Sequence, residues 1–335
     1  MVPVGRLPAL VCVAACAWSA VAQDQAANSA WEQAFRAAAE LHRQGNYAEA
    51  AAIMSAVVKT AERAGPGDAR LASALNNMGA FYQDLGRYAE SEKHYGRALR
   101  ILDKDPGADP ALLLATVNNL ATLYYDTGRY AASERLLRRY RPIRENLGLD
   151  SPESLAFLKN LAATYEVRRR YTEAEAVYKE ALAVVLKKQN RDRALGPLLT
   201  SLGVLCANTK RYGEALGHLE GSLAICHRLF GEDHPETIRP LLSLSTVYAR
   251  TGRLAEAERY VKQALAIARH RLGAEHPITG LVLSNYAVVL RQSGRKAEGK
   301  EMKEQARAIK AKTARDNPTH HSIDLSELLS VPGRR

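Results

Sequence analysis

The strongest constraint on this chain is that it repeats itself. Residues 76–92 read NNMGAFYQDLGRYAESE, and residues 118–134, 42 positions later, read NNLATLYYDTGRYAASE. The Gly-Arg-Tyr centre of that phrase returns along the chain. It reads Gly45-Asn46-Tyr47, Gly86-Arg87-Tyr88, Gly128-Arg129-Tyr130, Arg169-Arg170-Tyr171, Lys210-Arg211-Tyr212, Gly252-Arg253-Leu254 and Gly294-Arg295-Lys296. The last residues of successive triplets are 41 or 42 apart. A fixed period of this length marks a solenoid, because one copy cannot bury its apolar face and stacked neighbours can. Seven copies occupy residues 28–312.

Each copy reads as two helices. After Pro235, apolar residues fall at Ile238, Leu241, Leu242, Leu244, Val247 and Tyr248, which is helical spacing. Thr251-Gly252 stops that run, and a second one carries Leu254, Ala257, Val261, Ala264, Leu265 and Ile267 to a stop at Leu272-Gly273. Glycine suits a helix end because the closing residue is left-handed. Proline opens the next helix, where its missing N–H is harmless, as at Asp109-Pro110, Ser151-Pro152 and Pro277. Small residues share one place in the first helix (Gly79, Ala121, Ala162, Gly203, Ser245, Ala287) and one in the second (Ala98, Ala181, Ser222, Ala264, Ala306). They allow close antiparallel approach, while Tyr82, Tyr124, Tyr165 and Tyr248 fill the space beside them.

This pattern resembles a tetratricopeptide repeat array, in a 42-residue form similar to kinesin light chains. The connectors Phe230-Gly231-Glu232-Asp233-His234-Pro235 and Leu272-Gly273-Ala274-Glu275-His276-Pro277 agree with it. The resemblance implies an all-α, right-handed superhelical solenoid of about seven antiparallel helix-turn-helix repeats. Three departures carry expectations of their own. Tyr140 replaces a small residue in repeat three, which predicts looser packing. Pro197 predicts a late start for the first helix of repeat five. Gly299 and Lys303 replace apolar residues in repeat seven, leaving a weakly amphipathic last helix of the polar kind that ends such arrays.

Packing does not account for the asparagines. Eleven residues before the end of each triplet stand Asn77, Asn119, Asn160, Ser201, Ser243 and Asn285, with Asn76, Asn118 and Lys159 just ahead of the first three. They fall off the apolar stripe of the first helix. The resemblance implies that they line a concave groove and hold the backbone of a bound peptide. A carboxamide offers two donors and an acceptor, so it can pair with a peptide N–H and C=O whatever the peptide's sequence. The plainer alternative is a polar residue on a solvated face. On the same inferred face, Asp84, Asp126 and Glu166 fall in the front half and Arg239, Arg250 and Arg291 in the back half. That partition would orient a ligand carrying one basic and one acidic segment.

The rest of the chain sets the surroundings. Residues 1–22 read as a secretory signal peptide, with an apolar run ending at Ala20-Val21-Ala22; Val13-Ala14-Ala15-Cys16 offers a competing lipidation site at Cys16. After cleavage two cysteines remain, Cys206 and Cys226. The repeat register places them at opposite ends of one hairpin, beyond bridging distance. No phosphate loop, nucleophile elbow or Cys/His metal spacing occurs, and His234 and His276 belong to the connectors. Residues 313–335 form a tail with an apolar stretch at Ile323, Leu325, Leu328 and Leu329, either partly disordered, docked on the last repeat or recruiting a partner. The sequence therefore predicts an exported, periplasmic or secreted, non-enzymatic scaffold that binds a peptide or protein segment without cofactor or metal. The net charge of +11 and pI near 9.5 favour a second reading, polyanion binding through a basic outer face. Nucleic acid is not the expected partner, and a membrane is one only through a lipidated Cys16.

Overall fold

The computed structural model describes residues 33–41, 46–64, 69–147, 151–187 and 192–316. The signal-peptide reading lies outside the described residues, as does the tail reading beyond 316; residues 313–316 continue the last helix. Regular structure among the described residues is helical throughout, and the chain divides into two units at Arg168/Arg169. The first unit contains α1 (33–41), α2 (Tyr47–Ala64), α3 (Ala69–Asp84), α4 (Tyr88–Leu102), α5 (Pro110–Asp126), α6 (Tyr130–Leu147) and α7 (Pro152–Val167). The second contains α8 (Tyr171–Leu186), α9 (Asp192–Asn208), α10 (Tyr212–Phe230), α11 (Ile238–Arg250), α12 (Leu254–Ile267), α13 (Pro277–Gln292) and α14 (Lys296–Asp316). The last residue of every triplet opens a second helix.

The triplet itself is a helix-stop motif. The backbone N–H of Arg87 closes on Tyr82 O at 2.8 Å, Arg129 on Tyr124 O at 2.7 Å, Arg211 on Cys206 O at 2.8 Å and Arg253 on Tyr248 O at 2.9 Å. This is the six-residue bond that needs a left-handed residue just before it. Gly86, Gly128, Gly252 and Gly294 supply it with φ of 72°, 74°, 77° and 81°. Arg169 and Lys210 are held there too, at φ 58° and 63°. The same arginines turn back over the residue they cap. The guanidinium of Arg87 lies 4.6 Å from the centre of the Tyr82 ring, Arg129 4.4 Å from Tyr124 and Arg253 4.5 Å from Tyr248.

Pairs close where the small residues meet. A Cβ added to Gly79 would stand 2.6 Å from the Tyr95 ring, and one on Gly203 2.6 Å from Leu219. At that crossing a hydroxyl spans the two helices. Ser91 donates to Gly79 O at 2.8 Å and Ser133 to Ala121 O at 3.0 Å; in the α11/α12 pair Ser245 donates the other way, to Ala257 O at 2.8 Å. Neighbouring first helices also touch, α3 with α5 and α5 with α7 in one unit, α9 with α11 and α11 with α13 in the other.

The three departures resolve as follows. Tyr140 is buried, and its hydroxyl is held by Asp103 at the end of α4, at 2.6–2.7 Å, so the larger ring is tied to the preceding repeat. The helix of repeat five does not start late: α9 runs from Asp192 with Pro197 inside it. Neighbouring side chains secure that turn, because Gly196 packs against Ile225 and its carbonyl accepts from Ser222 Oγ at 2.7 Å. Gly299 is buried where a Cβ would come within 3.0 Å of Ala287 O, so it serves close approach, while Lys303 is exposed. Cys206 and Cys226 are both buried and free, and burial pushes each thiol above its ordinary pKa.

Candidate functional site

In the first unit the repeated asparagines come together along α3, α5 and α7. Asn76, Asn77, Asn118 and Asn119 are 0%, 1%, 2% and 4% exposed, and Lys159 and Asn160 are half-buried. A polar row on a solvated face would be open; these side chains are enclosed because consecutive first helices touch at this level. Asn119 Nδ2 donates to Asn76 Oδ1 at 3.0 Å, joining α5 to α3. Asn118 Nδ2 reaches Glu153 O at 2.9 Å, and Asn160 Nδ2 lies 3.3 Å from Thr122 Oγ1 and 3.4 Å from Asn118 O, joining α7 to α5. Asn77 Nδ2 bonds back to Ser73 O at 3.0 Å. The carboxamides thus stitch the first helices together, and they do so incompletely. Asn76 Nδ2, Asn77 Oδ1 and Asn118 Oδ1 are buried with no hydrogen-bond partner. A buried polar atom left unpaired costs about 1–3 kcal/mol.

The matching positions of the second unit behave differently. Ser201, Ser243 and Asn285 are 6%, 2% and 7% exposed. Ser201 Oγ donates to Pro197 O at 3.2 Å and Asn285 Nδ2 to Leu281 O at 3.0 Å, each within its own helix, and Ser243 Oγ is unpartnered. Helix-to-helix linkage falls to Arg250, whose Nη1 reaches Ala207 O at 3.3 Å and Asn208 Oδ1 at 3.2 Å.

The anticipated charges lie on both units. Asp126 accepts from Gln83 Nε2 at 3.1 Å, and Gln83 Oε1 accepts from the buried Tyr95 hydroxyl at 3.1 Å, so a Tyr–Gln–Asp chain runs from α4 through α3 to α5. Burial pushes the Tyr95 phenol well above its usual pKa. Glu166 is buried and Asp84 half-buried in the same unit. In the other unit Arg239 is half-buried, and Arg250 and Arg291 are exposed.

The reading of the sequence missed a ladder of ion pairs between repeats. Arg129 meets Glu92 at 2.8 Å, Arg211 meets Glu175 at 2.7 Å and Arg295 meets Glu258 at 2.7 Å. Glu258 also receives Lys262 at 2.8 Å and the Tyr286 hydroxyl at 3.0 Å. Lys262 first, then Arg295 and Tyr286, hold its carboxyl down at a pKa of about 2. The signal was present, because each glutamate stands four residues after its triplet and the arginine stands in the next one. His234 and His276 prove to be helix caps: their Nδ1 atoms accept from the N–H groups of Glu236 and Ile278, each at 3.2 Å.

Comparison with known proteins fits this architecture. A search of curated proteins gives no match. Among solved structures, nearly identical TPR-like repeats from a Podosopora anserina protein assigned as a kinesin light chain are similar at 26% identity, covering 62% of this chain and 98% of that one, with TM-score 0.49. The apo form of RapI aligns at 12% identity over 85% of this chain and 99% of its own, TM-score 0.67. The Rap conjugation gene regulator of plasmid pLS20, in complex with the Phr* peptide, aligns at 14% identity over 94% and 84%, TM-score 0.62. The tetratricopeptide repeat model matches residues 26–104, 70–146, 112–187, 195–270 and 246–312. With matches across most of its length and its helices paired as that repeat requires, the chain belongs to the tetratricopeptide repeat family.

Proposed function

We propose that the chain is a non-enzymatic scaffold that holds an extended peptide or protein segment against its first helices. The observation that carries this reading is the tetratricopeptide architecture, whose first helices in the first unit carry a polar row that ends in the half-buried Lys159 and Asn160. A passing peptide backbone offers C=O and N–H groups to a carboxamide and an ammonium there, whatever its sequence. The Rap protein solved with the Phr* peptide is a structural neighbour that supports the reading by analogy. Selectivity would come from the acidic side chains of the first unit, matching a segment with basic residues. The leader and its Ala20-Val21-Ala22 site support export to the periplasm or beyond, with lipidation at Cys16 as the other route.

The test compares retention from an envelope extract by residues 23–335 and by the same protein carrying Lys159→Ala and Asn160→Ala. Helix content and melting temperature are checked first. Loss of two backbone hydrogen bonds should weaken capture by about tenfold or more. If a folded double variant retains the same proteins equally, the polar row only joins helices and the reading fails. The polyanion reading draws on the exposed Arg135, Arg138 and Arg139 of α6. It requires capture to collapse steeply as salt rises, whereas groove binding changes modestly.

A further inference from the structure

One arginine of the third repeat has no partner in the fold. Arg135 is exposed, and among the described residues it makes no ion pair or hydrogen bond. It lines an open cavity of about 500 Å3 beside the third triplet, together with Arg129, Arg168 and the segment 128–132. No acidic residue lines this cavity. The other two arginines are fixed from behind. Arg129 donates from Nη1 and Nη2 to Glu92 at 3.0 and 2.8 Å and from Nε to Thr127 at 3.2 Å, with its guanidinium against the Tyr124 ring. Arg168 uses Nη1 on Glu134, a carboxylate only 5% exposed, and its Nε and Nη2 make no bond among the described residues. Arg138 shares Glu134 at 3.7 Å. Four guanidiniums, those of Arg129, Arg135, Arg138 and Arg168, thus stand against two carboxylates, Glu92 and Glu134.

This excess is particular to one place in the array. Arg135 stands five residues after the end of its triplet, and Arg168 three residues before the end of the next. In other neighbouring repeats the same two places hold Lys93 and Thr127, Ala176 and Thr209, Gly217 and Thr251, or Arg259 and Ser293; only here are both arginine. The threonines have a local task, since Thr127, Thr209 and Thr251 donate their hydroxyls to Leu123 O, Leu205 O and Val247 O at 2.7, 3.1 and 3.1 Å and so close their own helices. Arg168 gives up that bond and brings a second guanidinium to the cavity instead.

We propose that this cavity binds the phosphate group of an anionic ligand. A tetrahedral oxyanion can offer oxygens to two guanidinium forks at once, and charge-assisted bonds of this kind are among the strongest available at a surface. Arg135 supplies a full set of unused donors, Arg168 supplies its Nε and Nη2, and Arg129 forms the fixed wall. The volume exceeds what a bare phosphate fills, which leaves room for the group that carries it. The site lies at the triplet turns and uses neither Lys159 nor Asn160, so it stands whether or not the chain holds a peptide along its first helices.

Titration calorimetry of the full chain with inorganic phosphate, beside acetate and chloride at equal ionic strength, tests the proposal. The unsubstituted protein should bind phosphate at one site and in preference to either control. Arg135→Ala should weaken that binding by about tenfold or more, and so should Arg168→Thr, which installs the residue of the neighbouring repeats. Arg139→Ala removes an exposed arginine of the same helix that does not line the cavity, and should leave the affinity within about twofold. Helix content and melting temperature are checked for each variant; Arg135 has no partner to lose, so its removal leaves the fold intact. Absence of phosphate binding by the unsubstituted protein overturns the proposal. So does equal weakening by Arg139→Ala, which would reduce the effect to the diffuse charge of α6. Acetate binding as tightly as phosphate overturns it as well, because the cavity would then not select a tetrahedral anion.

Discussion

At the scale of single residues, the stop motif shows backbone geometry overruling side-chain preference. Arg169 and Lys210 adopt φ of 58° and 63°, where four sister positions use glycine. The capping bonds demand that turn: Lys210 N–H reaches Ala207 O at 3.2 Å and Arg211 N–H reaches Cys206 O at 2.8 Å. A side chain with a Cβ is disfavoured in this region by about 1–2 kcal/mol. Glycine would regain most of that and lose some to the entropy of its unfolded chain. Lys210→Gly should therefore stabilise the protein by about 0.5–1 kcal/mol, read as a higher denaturant midpoint at unchanged slope. A lower midpoint would mean that the Lys210 side chain contributes more than its exposed position suggests.

At the scale of helices, the two members of each pair begin in different ways. The first helices α5, α7 and α13 carry side-chain caps: Asp109 accepts from Ala111 N–H at 2.9 Å, Ser151 from Ser154 N–H at 3.0 Å and His276 from Ile278 N–H at 3.2 Å, while His234 caps the short turn Pro235–Thr237 ahead of α11. The second helices α4, α8, α10 and α12 begin without one, and each opens beside an arginine paired with the glutamate three residues on. A histidine cap is conditional, because Nδ1 accepts only while it is unprotonated. Burial lowers the pKa of His276. Its capping stability is therefore fully present above the unfolded-state value near 6.5 and is lost as pH falls through the lower folded-state value. His276→Asp keeps an acceptor at that place and does not titrate near pH 6. We expect it to match the parent at pH 8 and exceed it by about 1 kcal/mol at pH 5, measured by denaturant unfolding at both values. Equal midpoints at both pH values would show that this cap adds nothing.

At the scale of the whole molecule, stability is carried by contacts between neighbours. In the second unit one apolar cluster holds Cys206, Leu241, Val261, Leu283 and Ile309 together. Leu241 is fully buried. Leu241→Ala should cost about 2–5 kcal/mol. The two buried thiols report it directly: Cys206 and Cys226 should take up a thiol reagent at least tenfold faster in the variant under native conditions. Unchanged labelling rates would mean that the thiols open through local motion rather than with this core.

The repeat, the helix pairs, their small crossing residues and the proline starts were all legible in the sequence. Each rests on interactions within about one period of the chain, so spacing alone carries them. The arginine ladder was half legible, since the partners 36 or 37 residues apart keep the repeat's phase. The asparagines were not: their phase was plain, but whether a side chain eleven or twelve residues before the end of a triplet is open or enclosed depends on how closely two first helices approach. That distance set Asn76 at 0% exposed and Asn119 at 4%. Pro197 shows the same division, because a neighbouring helix's hydroxyl secures a turn that local propensity would end. Sequence by itself determined which residues form elements and in what order. Only tertiary structure decided which polar atoms are enclosed and left unpaired, because burial is a property of distances between elements.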